Sequence, residues 1–191
     1  MEQQLEHHEH AGHASEHGNK RAALLISVLA ALLAITEQGG RHAEIRVSEN
    51  AISAADAWTQ YQGKSVRQAL AHDLSTVLAS LDVSPLPAAA AKRSAALATL
   101  SQEQVRYDQD PADGKLAIAR RAQRFEAARD EALERAHSYD NGAAALELGI
   151  VLSTVSVITA SGFLLAGGAL LGAVGALFAL AGLLAPALGA L

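Results

Sequence analysis

From Ala143 to Leu191 the chain carries a single charged residue, Glu147, near the start of the stretch. A membrane-spanning helix needs roughly 20 apolar residues, and this run is long enough for two. Ala160-Ser161-Gly162-Phe163 is the natural break, which places spans at 143–160 and 163–189. A third uncharged run, Ala22 to Thr36, follows Lys20-Arg21. It is short for a span, but becomes adequate if Glu37 and Gln38 lie at the interface and the helix reaches Gly39-Gly40. A span over 22–40 is therefore expected. A signal-peptide core has similar length, but the long acidic segment ahead of it favours an uncleaved anchor.

Residues 41–142 leave the membrane and must return to it. Val66, Leu70, Leu74, Val77 and Leu81 are spaced four, four, three and four, one face of an amphipathic helix. Ile45 and Ile52 extend it backward. Ser84-Pro85-Leu86-Pro87 should stop it. An Ala-rich helix is expected from Ala88 to Tyr107, then a turn over 108–114 around Pro111. Beyond Lys115, Ile118, Ala122, Phe125, Ala132, Ala136 and Tyr139 keep three-and-four spacing, in phase with Ala143, Leu146 and Ile150. This helix should run straight into the second span. Strand alternation and hairpin signals are missing from the sequence. The expected class is all-α: three transmembrane helices with an extramembrane antiparallel helical hairpin or bundle, closed by these stripes.

Charge and composition narrow the function. The net charge is −5 and there is no cysteine, which argues against nucleic acid as a partner and excludes disulfides and thiolate metal sites. The sequence contains no nucleophile elbow, phosphate loop or metal-protease motif, so no catalytic residues are assigned and no enzyme is expected.

Residues 1–21 read as a disordered, acidic, histidine-rich tail. His7, His8, His10, His13 and His17 alternate with Glu2, Glu6, Glu9 and Glu16. Imidazole and carboxylate together suit Zn, Cu or Ni, so the tail is a candidate metal site. A second polar zone combines His42 and His137 with Asp140 and Glu147, at short distances from the first and second spans. It would form a His–carboxylate ring at a membrane mouth.

Trp58, Tyr61, Gln62 and Ser65 fall at i, i+3, i+4 and i+7, flanked by Lys64 and Arg67. They make either a partner-docking face or an internal helix contact in which the aromatic tips find partners. In the last span Gly168, Gly172, Gly175, Ala179 and Gly182 repeat every 3.5 residues on average. Ala145, Gly149, Ser153, Ser156 and Ala160 form a similar stripe in the second span, and Ala23, Ser27, Ala30 and Ala34 in the first. Small residues let helices approach closely where lipid is as apolar as leucine. Three such stripes exceed what one three-helix protomer obviously needs, so a homo-oligomer is expected.

The Trp58–Arg67 stretch, Tyr107-Asp108 and His137-Ser-Tyr139-Asp140 resemble motifs of a bacterial family catalogued as domain of unknown function 4337, as does the order of spans. The resemblance implies an architecture without an activity. It differs in the Ala160–Phe163 turn, where relatives carry basic residues. Lys20-Arg21 would put the N-terminus in the cytoplasm, whereas Arg41, Arg46, Arg129 and Arg135, close to the membrane on the other side, argue for the opposite orientation. Together these readings imply a multi-pass protein of the bacterial inner membrane, surrounded by lipid, with a structural or interaction role and an unidentified protein partner possible. The alternative is a small homo-oligomeric channel or transport accessory.

Overall fold

The computed structural model describes residues 2–82 and 87–188, with side-chain surroundings for 20–82 and 87–184. Four helices occupy them: α1 (Glu2–Ser80), α2 (Pro87–Gln109), α3 (Lys115–Thr159) and α4 (Gly162–Leu188). No strand occurs among the described residues. Three helices are long and apolar enough to cross a membrane: α1 from Lys20, α3, and α4 to Leu184. The backbone of α1 is helical from Glu2, where the sequence reading has a disordered tail over 1–21. That segment contains no proline, and its Ala, Glu, Gln and Lys are tolerable helix residues. Ser84-Pro85-Leu86 lie outside the described residues. Pro87 opens α2, where its missing N–H costs nothing.

The chain divides into two units, residues 1–47 with 131–191 and residues 48–130. Both α1 and α3 pass through the division without a break.

In the first unit α3 and α4 pack antiparallel through reciprocal glycine pairs. A Cβ on Gly149 would lie 2.9 Å from the Gly168 carbonyl oxygen, and one on Gly168 would lie 2.8 Å from that of Gly149. Gly142 and Gly175 repeat the arrangement at 3.0 and 2.8 Å. At both pairs only a hydrogen fits where a side chain would start, so the backbones meet directly. Leu29 of α1 is 3% exposed and inserts against Gly149 and Gly172. The Tyr139 ring lies against Gly39 and Gly182, 2.7 and 3.1 Å from where their Cβ atoms would be. Buried hydroxyls are satisfied within their own helices: Thr36 donates to Leu32 O at 2.8 Å, Ser153 to Gly149 O at 2.7 Å and Ser156 to Ser153 O at 2.6 Å. That is how polar groups survive away from water. The glycine stripe of α4 and the Gly149–Ser153–Ser156 stripe of α3 thus face inward within one protomer. Ala23, Ser27, Ala30 and Ala34 are exposed.

α3 ends in a Schellman-type cap. Ala160 adopts φ 50° and the Ser161 N–H reaches Ser156 O at 3.2 Å, the bond expected when the residue past the helix turns left-handed.

In the second unit Ala57, Ile118 and Ala122 form the core, with Trp58 and Tyr61 packed on it. Ile118 and Ala122 are fully buried, as their spacing predicts. The stripe expected on α1 is not the one used. Val66, Leu70, Leu74, Val77 and Leu81 are 49–63% exposed. The residues turned inward are Ala54, Ala57, Tyr61, Lys64, Gln68 and Ala71, buried or half-buried at alternating three- and four-residue steps. Alanine lets α1 and α3 approach more closely than valine or leucine would, and the bulky residues are left outside. None of α2's residues is fully buried. Its ties include polar ones: the Gln68 amide to Gln104 O at 3.5 Å and the Lys64 ammonium 5.7 Å from the Tyr107 ring centre.

Candidate functional site

The Trp58 face is engaged within its own unit. Trp58 Nε1 donates to Glu126 Oε1 at 2.9 Å, and its ring meets Tyr61 edge-on at 5.6 Å. Lys64 pairs with Asp113 at 2.5 Å, and Lys115 sits 5.7 Å from the Tyr61 ring centre while pairing with Asp108 at 3.5 Å. Of the six expected docking residues, Trp58, Tyr61, Lys64 and Ser65 are half-buried, and only Gln62 and Arg67 are exposed. The internal contact is the reading this geometry matches.

The turn beside it is held by Asp110, whose carboxylate accepts the Ala112 and Asp113 backbone N–H groups at 2.9 and 3.0 Å. Those two bonds hold its carboxyl below the usual carboxylate range against a desolvation effect, and the nearby Arg106 and Lys64 charges add smaller contributions in the same direction as the bonds. Gly114 is required here, because a Cβ would lie 2.6 Å from both Asp110 N and Asp110 O.

The polar residues at the end of the apolar runs do not form one ring. Tyr139 separates two clefts of the first unit. One, about 400 Å³, is lined by His42, Arg46, Arg135, Tyr139, Gly182 and Leu183, among others. The other, about 270 Å³, contains Glu37, Arg41, Glu44 and Asp140. His42 and Asp140 therefore belong to different clefts. His137 and Glu147 are exposed on α3. In the second cleft Arg41 pairs with Glu37 at 3.6 Å, leaving the balance acidic. In the first, one Arg135 nitrogen pairs with Glu131, while its Nε is buried without a hydrogen-bond partner. His42 Nε2 lies 3.0 Å from Gln38 Nε2.

Sequence reasoning missed this cationic cleft. Its residues come from three helices, and no local spacing joins them.

Among the described residues no three His, Asp or Glu side chains gather to hold a metal ion. The side chains of His7, His8, His10, His13 and His17 lie outside the described ones.

No curated protein and no solved structure matches the chain. A family model does match, over residues 18–185, taking in the apolar runs, the Trp58 face and both clefts. The chain belongs to that family, the domain of unknown function DUF4337.

Proposed function

We propose that this is a three-span protein of the bacterial inner membrane that acts as a homo-oligomeric interaction scaffold. The observation that supports this reading is the outward apolar stripe of α1. Val66, Leu70, Leu74, Val77 and Leu81, each about half exposed or more, lie beyond the apolar run that begins near Ala22. Lipid does not cover such a stripe there, and a contiguous apolar face in water marks a protein contact. A second copy of the same chain offers the same stripe, and self-complementary faces are the commonest way for soluble proteins to pair. The inward-facing glycines remove one earlier argument for assembly, since α3 and α4 use them within the protomer. The exposed Ala23–Ala34 stripe keeps the other.

The test is the mass of the purified protein in detergent and in native-lipid discs. An oligomer is expected, and Leu70→Glu with Val77→Glu should lower its mass while leaving helicity unchanged. A wild-type protein monomeric in both settings refutes the scaffold.

A further inference from the structure

The cleft lined by His42, Arg46 and Arg135 has two chemically different sides. Arg46 and Arg135 bring two permanent positive charges, and Arg135 pairs with Glu131. Gly182 and Leu183 of α4 form the apolar side. On α4 the exposed surface around the cleft is continuous hydrocarbon: Leu177, Leu180, Leu183 and Leu184 are 66, 51, 62 and 51% exposed. The cleft sits where the uncharged runs of α1 and α3 end, the depth at which phosphate groups lie when such helices cross a bilayer. Guanidinium forks match phosphate oxygens in geometry as well as charge. Basic pockets between spanning helices are where anionic headgroups are held.

We propose that this cleft binds the phosphate group of an anionic phospholipid, with the acyl chains lying along the leucine face of α4. The Arg46 and Arg135 guanidiniums hold the phosphate, and His42 and Tyr139 offer further polar contacts at the wall. The neighbouring cleft, with Glu37, Glu44 and Asp140, repels the same group, so selectivity belongs to one side of Tyr139. The proposal rests on the helices crossing a membrane but not on oligomerisation.

The probes are phosphatidylglycerol and phosphatidylcholine of identical chains, added to the full-length protein in neutral detergent, with retained lipid counted by native mass spectrometry. Retention of phosphatidylglycerol should exceed that of phosphatidylcholine by about fivefold per arginine. Arg46→Gln with Arg135→Gln should reduce it to the phosphatidylcholine level. Arg46→Lys with Arg135→Lys should restore part of it, and Arg41→Gln, in the other cleft, should leave it unchanged. Inorganic phosphate at millimolar concentration should not displace the lipid. Full displacement by inorganic phosphate would overturn the lipid assignment in favour of a soluble phosphate ligand. Equal retention of the two lipids by wild-type protein overturns the proposal even if the glutamine variant fails to fold. Undiminished phosphatidylglycerol retention in a folded glutamine variant overturns it as well. The membrane reading is tested separately, by whether the protein enters discs of either lipid.

Discussion

Gly175→Ala adds one methyl group at one of the closest approaches of α3 and α4. The new Cβ would meet Leu146 Cγ at 2.7 Å, Gly142 O at 2.8 Å and Leu146 N at 3.0 Å. Two of these are backbone atoms of α3, which cannot rotate away, so α4 must retreat by about 0.5 Å. A gap of that size forfeits roughly a quarter of each dispersion contact along the seam. Overpacking of this kind costs about 1–3 kcal/mol. Against it stands the gain in helix propensity from Gly to Ala, about 1 kcal/mol. The net expectation is a loss of about 1 kcal/mol. Gly167→Ala is the internal control, since its Cβ would meet only Leu152 Cδ1 at 3.6 Å, an ordinary contact. It should gain up to about 1 kcal/mol from propensity alone, so the two variants should differ by about 2 kcal/mol. Gly172→Ala should fall between them, because the obstacle is the flexible end of Leu29. Far-UV circular dichroism during unfolding from mixed micelles by dodecyl sulfate measures all three. A Gly175→Ala protein as stable as Gly167→Ala would refute the claim that backbone contact sets this seam.

Ala160→Gly should stabilise the α3–α4 turn by about 1 kcal/mol, since the left-handed residue at φ 50° then carries no Cβ; an unchanged or lower midpoint in the same titration counts against the cap. Trp58→Phe should cost about 1–2 kcal/mol, because it leaves the half-buried Glu126 carboxylate without its Nε1–H donor, with thermal melts followed by circular dichroism as the check. Asp110 has a lowered pKa, so its contribution is complete above the ordinary carboxylate range and is lost as pH falls through the lowered value. The melting temperature of wild type minus that of Asp110→Asn should therefore shrink on acidification, and a difference constant with pH would show that the turn does not depend on the charge.

Much of the helical layout was legible because its signals are local. An uncharged run, a proline or a glycine-containing break can be read one segment at a time, and α2 begins and ends, and α4 begins, within about two residues of where those signals place them. The phase of α3 was legible too: Ile118, Ala122, Ala132, Ala136 and Leu146 are all buried. The face of α1 was not. Size-weighted hydropathy selects Val66, Leu70 and Val77, whereas close approach selects Ala54, Ala57 and Ala71. Both stripes are periodic, and only the partner helix decides between them. For the same reason the glycines of α4 could be recognised as a packing stripe without revealing that α3 and α1 of the same chain occupy it. The two clefts depend on Tyr139 wedging between Gly39 and Gly182, a contact between residues far apart in sequence.

The glycine pairs also act as a ruler. Gly142 and Gly149 are seven residues apart on α3, and Gly168 and Gly175 are seven apart on α4. Slide one helix past the other by that interval, about 10.5 Å at 1.5 Å per residue, and one pair can re-form while the other is lost. The marks alone would therefore tolerate a second alignment at half strength. What forbids it is the lack of slack: only Ala160 and Ser161 join α3 to α4, and two residues cannot pay out the length a slip requires. Lengthening that connection by a flexible heptad would give the hairpin two competing alignments in one sequence.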